Sequence, residues 1–264
     1  MAGSEAVPEV AALPELLPAW TFGFLLVVCR VGAAVLALPA FGEAEVAVTV
    51  KAAIALAFAA VVWPAVSPGL PPPPVDAARA GLLVITECLI GLWIGGLARM
   101  VVLALPLAAQ FVGFLLGLSS AVLFDPAFGA TGTALSRLLG LGAIVLLFAT
   151  GMHALPLAAL AGSYTVLPAG APFPAAAAAE AVVSVAAATF GLAFQLSGPF
   201  VLAGIVFQLA LGVMSRIVPQ MQVYFVAMPV QIVGGLALMA VVAGALLGAW
   251  TRAAGEMLAT LPGL

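Results

Sequence analysis

Beyond Arg137 the chain runs for 42 residues without a charge before reaching Glu180, then for 35 before Arg216, and for 35 more before Arg252. Each stretch exceeds the roughly 20 residues that a helix needs to cross a bilayer. No soluble surface can be assembled from segments of this kind. The whole chain of 264 residues carries 7 Lys or Arg and 10 Asp or Glu, where a soluble domain of that length would carry about 66 charges. The mean hydropathy of +1.33 agrees. The composition excludes a soluble enzyme, and it excludes a nucleic-acid binder because seven scattered basic residues form no phosphate-tracking patch. The chain reads as an all-α protein embedded in, or assembled on, a membrane.

Six or seven apolar helices are expected, several of them broken. Trp20–Leu38 contains Arg30 and closes at Pro39 and Gly42, and Val46–Val66 follows with Lys51 near its start. Pro64, Pro68 and Pro71–Pro74 make residues 67–79 a stiff linker. Ala80–Leu105 carries Glu87 and Arg99, and Pro106 opens a segment that stops at Asp125-Pro126. Further on, breaks are expected at Pro156, Gly162, Pro168–Pro174, Gly198-Pro199, Pro219 and Pro229, with a helix starting in Ala175–Ala179. At membrane depth such breaks are tolerated against other protein or around an aqueous cavity. The segments follow one another so closely that residues 1–264 read as one domain with an acidic head at 1–19. Glu5, Glu9 and Glu15 without Lys or Arg among them argue against a signal peptide, so the first apolar segment is expected to be retained. They also lean the N-terminus towards the non-cytoplasmic side.

Candidate chemistry is sparse. His153 is the single histidine, with no acidic residue within 25 positions, so no metal site and no cofactor is expected. Gly117-Leu118-Ser119-Ser120-Ala121 is a partial echo of a hydrolase elbow without its strand–turn–helix setting. Cys29 and Cys88 lie singly in apolar runs and read as small hydrophobes. No catalytic residue is expected. The intramembrane charges Arg30, Glu87, Arg99 and Arg216 say more, since burying one costs a few kcal/mol on insertion scales. They either snorkel to water near segment ends or pair across helices. Glu87 is the best candidate for pairing, because Gly91 and Gly95 share its helical face and would let a neighbouring backbone approach. Gly113 and Gly117 repeat that spacing. The stretch GLSSAVLFDP, residues 117–126, reads on physical grounds as a helix terminus, although an apolar loop there could also close a pore.

In order, these residues resemble the FliR-type subunits of the flagellar type III export apparatus, whose injectisome counterparts belong to the same wider family. The resemblance runs from about Trp20 to Trp250. It is carried by Arg30, Pro39-Ala-Phe41-Gly42, Lys51, Glu87-x3-Gly91-x3-Gly95, Gly113-x3-Gly117, Asp125-Pro126, Gly151-x-His153, Ser163, Leu167-Pro168-x-Gly170 and Gly198-Pro199. The strongest stretch is Gly212-x3-Arg216-x2-Pro219-Gln220-Met221-Gln222-Val223-x-Phe225, followed by Pro229 and Gly234. Gln222 stands where much of the family has Asn, and Gln231 where many members have a basic residue.

The resemblance implies a non-enzymatic, pore-forming subunit whose bent helical hairpins pack within a hetero-oligomeric export gate. Implied partners are FliP-like and FliQ-like subunits, together with FlhB-like and FlhA-like ones. Unfolded flagellar proteins would be the substrates and the flagellar basal body in the inner membrane the location. It further implies that Leu118, Ser119, Ser120, Ala121, Val122, Leu123 and Phe124 plug the closed pore. Arg30, Glu87, Gly91, Gly95, Asp125, Pro126, Arg216, Pro219 and Gln220 would serve helix and subunit packing. Competing readings are an injectisome gate subunit and, from a different class, a small-molecule secondary transporter with broken helices and midplane charges.

Overall fold

A computed structural model of the chain describes residues 13–116, 134–217 and 223–264. Every regular element among these residues is helical. In chain order they are α1 (Leu13–Ala37), α2 (Val48–Val66), a single 3-10 turn (Ser67–Gly69), α3 (Ala77–Val102), α4 (Ala104–Leu115), α5 (Ala134–Ala149), α6 (Ala154–Val166), α7 (Ala175–Ile217) and α8 (Val223–Leu258). Five helices are long and apolar enough to cross a membrane. The count becomes six if α5 and α6, separated by a short break, form one span.

The chain divides into two compact units. The first comprises Met1–Arg99, Ala154–Ala181 and Ala259–Leu264, and the second Met100–His153 and Val182–Leu258. In the first unit α1 and α2 pack as a hairpin, with Phe24 edge-on to Trp63 at 5.5 Å between ring centroids. The turn that closes α1 puts Ala40 at a positive φ of 71° and ties the Gly42 N–H to the Leu38 carbonyl. Lys51 Nζ donates to the Gly42 carbonyl, so this basic residue secures the turn from the first turns of α2. Asp76 starts α3 by accepting from the Ala78 N–H, which satisfies one donor that a helix start leaves open. Trp93 of α3 donates from Nε1 to the Ala178 carbonyl in the first turn of α7 and meets Phe173 of the 167–174 loop edge-on.

In the second unit α4 and α5 pack against each other, and Ser136 Oγ donates to the Pro106 carbonyl. The break between α3 and α4 falls at Leu103, so Pro106 is the third residue of α4 instead of its opening residue. A proline there removes an N–H from the first turn, where most donors lack an intrahelical acceptor. Three expected breaks are not breaks. Gly162 lies inside α6, Pro199 inside α7 and Pro229 inside α8, and each helix continues through its residue. An apolar helix in membrane-like surroundings tolerates the one hydrogen bond that a proline removes because neighbouring groups restore it or the helix bends locally. The expected start in Ala175–Ala179 is where α7 begins, after the proline-rich loop that ends at Pro174.

Candidate functional site

The first unit holds a buried polar cluster built on Arg30. Arg30 and Glu87 are both fully shielded from solvent, on α1 and α3 respectively. Arg30 Nε donates to Glu87 Oε2 at 2.6 Å and its second terminal nitrogen donates to Oε1 at 3.1 Å, a two-pronged pairing. Such forked pairing is the strong form of an Arg–carboxylate contact and fixes the angle between the two groups. The remaining terminal nitrogen donates to Ser163 Oγ at 3.1 Å, and that hydroxyl donates in turn to the Leu160 carbonyl one turn back on α6. Beneath the guanidinium lies the Tyr164 ring, its centroid 4.0 Å from Cζ, a distance at which the ring face attracts a cation. The Tyr164 hydroxyl itself is buried without a hydrogen-bond partner among the described residues. The Gly170 N–H, in the loop after α6, approaches Glu87 Oε1 at 3.4 Å.

Three helices and one loop therefore converge on a single ion pair. Their approach depends on two glycines. A Cβ at Gly91 would overlap the Arg30 carbonyl oxygen, and one at Gly95 would stand 2.7 Å from the Ala34 carbonyl oxygen and 2.8 Å from Ala37 Cβ. With a four-residue step from Glu87 to Gly91 to Gly95, α3 presents a bare backbone strip to α1, and the carboxylate sits at the end of that strip. Gly170 has a φ of +88°, a conformation that only glycine adopts without steric cost. It turns the loop back so that its N–H faces the carboxylate. Gly263, also at positive φ, lies so close to α6 that a Cβ there would overlap the Ala159 carbonyl oxygen and stand 2.8 Å from the Ser163 nitrogen.

The structure brings Arg30, Glu87, Gly91 and Gly95 together. Charge counting does not reach the uncharged members: Ser163 and Gly170 enter the sequence reading only among the residues that carry the resemblance, and Tyr164 does not enter it. Arg99 stands apart, paired with Glu43 at 3.2 Å in a half-buried bridge. Arg216 is exposed in the last turn of α7, where a cation complements the helix dipole. Cys29 and Cys88, each adjacent in sequence to a member of the ion pair, are free thiols of intermediate exposure. His153 stacks on Phe148 at the α5–α6 bend, with Nδ1 buried and unbonded among the described residues. The described residues contain no cluster of metal-ligating side chains. Leu118–Phe124, Asp125, Pro126, Pro219 and Gln220 lie outside the described residues.

What such a cluster can do is hold helices in register. Each nitrogen of the guanidinium is engaged, and removing one partner would leave an uncompensated buried charge.

A family profile described as "Bacterial export proteins, family 1" matches residues 21–257. A flagellar biosynthetic protein FliR from Caulobacter vibrioides is 34% identical over 233 residues, covering 88% of this chain and 93% of that protein. Those of Bacillus subtilis and Escherichia coli are 29% and 27% identical, covering 83% and 80% of this chain.

Proposed function

The chain belongs to the bacterial export proteins of family 1, and on that premise we propose that it is a structural subunit of the flagellar protein export apparatus. The observation that carries the reading is a family match that spans residues 21–257 and so reaches into both compact units. It supports treating residues 1–264 as one export-gate domain. The flagellar names of the relatives favour the flagellum over an injectisome.

In this reading the protein joins FliP-like and FliQ-like subunits, next to FlhB-like and FlhA-like ones, to form the gate through which unfolded flagellar proteins cross the inner membrane at the basal body. The N-terminus lies on the non-cytoplasmic side. The shape of the helices supports assembly over solitary transport. Helix α7 has 43 residues, or about 64 Å at 1.5 Å per residue, twice the roughly 30 Å hydrocarbon core of a bilayer. Helix α8 has 36. Along α7 Val183, Phe190, Phe194, Leu202, Leu209 and Val213 are exposed, so an apolar face runs for about 45 Å at 1.5 Å per residue, beyond the roughly 30 Å that lipid alone would cover. No bond is made or broken. The Arg30–Glu87 cluster keeps α1, α3 and α6 locked, while Leu118–Phe124 plugs the closed pore, with Leu123 and Phe124 excluding water and Ser119, Ser120 and Ala121 letting the segment move aside.

Native mass spectrometry of the tagged protein, purified in mild detergent from its own host, tests the reading. One copy recovered with several copies of two small apolar subunits is the expected result. A stable, monodisperse lone chain would sink it in favour of a transporter. Within the assembled complex, deleting Ser119–Phe124 is expected to raise ion conductance severalfold, and unchanged conductance with assembly intact would remove the plug.

A further inference from the structure

Beside the Arg30–Glu87 pair lie the two cysteines of the chain, Cys29 on α1 and Cys88 on α3. Their spacing in the sequence does not join them, but the packing of the helices does. Along α3 the step from Gly91 to Gly95 moves the contact on α1 from Arg30 and Ala34 to Ala34, Ala37 and Leu38. The two helices therefore run side by side in the same direction, at backbone contact. Cys88 stands three positions before Gly91, at the edge of the glycine strip. The same step back along α1 reaches the turn that holds Cys29.

The forked Arg30–Glu87 bond fixes rotation as well as spacing, since each cysteine is the chain neighbour of one of its partners. The Cys29 and Cys88 thiols accordingly face each other within side-chain hydrogen-bonding reach. Both are of intermediate exposure, so a small reagent reaches them, while the ion pair next to them is fully shielded. A disulfide demands Cα atoms within about 7 Å and Cβ vectors that converge. Helices in backbone contact provide that approach at the turns that face each other.

We propose that Cys29 and Cys88 are a redox-active dithiol, which a two-electron oxidant closes into a disulfide tying α1 to α3 beside the ion pair. Closure forms one S–S bond and breaks two S–H bonds. The two electrons and two protons pass to the oxidant, a small disulfide, a quinone or an azo compound, and a dithiol reductant reverses the step. The tie spans the same two helix turns as Arg30 and Glu87, so the closed form holds them together when the carboxylate's charge is gone. It stands whether or not the chain forms part of a gate.

The test treats membranes carrying the tagged chain with the azo oxidant diamide, then denatures them in excess N-ethylmaleimide and measures the intact mass. With two cysteines in the chain, the reduced form takes two maleimides and the bridged form none. Most of the chain is expected to convert to the bridged form, to run as a single chain on a non-reducing gel, and to regain both thiols in dithiothreitol. Two maleimides retained after diamide, a separate adduct on each thiol, or a crosslink to another chain would each overturn the proposal. Moving one thiol round the helix, in Cys88→Ala with Leu89→Cys, is expected to cut bridging severalfold, because Leu89 is exposed. Bridging at the parent rate in that variant shows that closure reflects chain motion and not this juxtaposition, which also overturns it. In Glu87→Gln, which keeps the side chain's shape and removes its charge, the bridged protein is expected to melt several degrees above the reduced one. Equal melting there shows that the bridge does not tie the helices.

Discussion

Arg30 engages an anion, a hydroxyl and an aromatic face from one position on α1. A fully buried cation is tolerated only when each of its donors is occupied. The pair is therefore stabilising relative to either partner alone, and close to neutral relative to a well-packed apolar replacement. Glu87→Ala is expected to destabilise the protein by about 3–5 kcal/mol, read as a lower thermal midpoint of the assembled complex and reduced export. The double replacement Arg30→Met with Glu87→Leu should recover much of that loss. If Glu87→Ala leaves assembly, melting and export at parent levels, the pair has no structural role. At this scale the sequence made two of the participants visible, since an ionised group inside an apolar run is conspicuous. Tyr164 was invisible because a tyrosine in an apolar helix signals nothing until the cation beneath which it lies is known. Glu43 went unnoticed for the opposite reason: it sits in a polar turn, where a charge is unremarkable.

Helix contacts make the same point with glycine. Gly91 and Gly96 lie in the same helix, yet one meets the α1 backbone and the other has nothing within 4 Å. Gly91→Ala is expected to force α1 and α3 apart and destabilise by roughly 1–3 kcal/mol, as overpacking does. Gly96→Ala should instead stabilise by about 0.5–1 kcal/mol through backbone entropy. Thermal unfolding of the two variants checks this, and equal effects of the same sign would show that the α1–α3 approach is not tight. The helical class and most apolar segments were readable from length and hydropathy, as was the proline-rich loop before α7. Breaks were less readable. A proline predicts a lost hydrogen bond, but whether the helix stops depends on what surrounds it, and Pro199 and Pro229 are carried inside long helices. At Leu103 the helix breaks without proline or glycine, and the nearest signal, Pro106, lies three residues on, inside the first turn of α4.

Over the whole molecule, apolar side chains such as Val183, Phe190, Leu202, Leu209, Val230 and Val241 are exposed, far beyond what a soluble monomer tolerates. These faces need lipid or other subunits. The protein is expected to stay in the membrane pellet through alkaline carbonate washing and to leave it only with detergent; release into the carbonate supernatant would contradict membrane integration. The two compact units are also interleaved along the chain, and this has a consequence for biosynthesis. Arg30 and Glu87 can meet as soon as α3 has been made, but the hydroxyl of Ser163 and the ring of Tyr164 emerge only after the first half of the other unit. At the ~5–20 residues per second of translation, that interval is roughly 4–15 s. For those seconds a nascent ion pair waits in or beside the bilayer with one arm of its guanidinium unclaimed. A ribosome that stalls within this window would leave the insertion machinery holding a guanidinium with one of its three nitrogens unsatisfied.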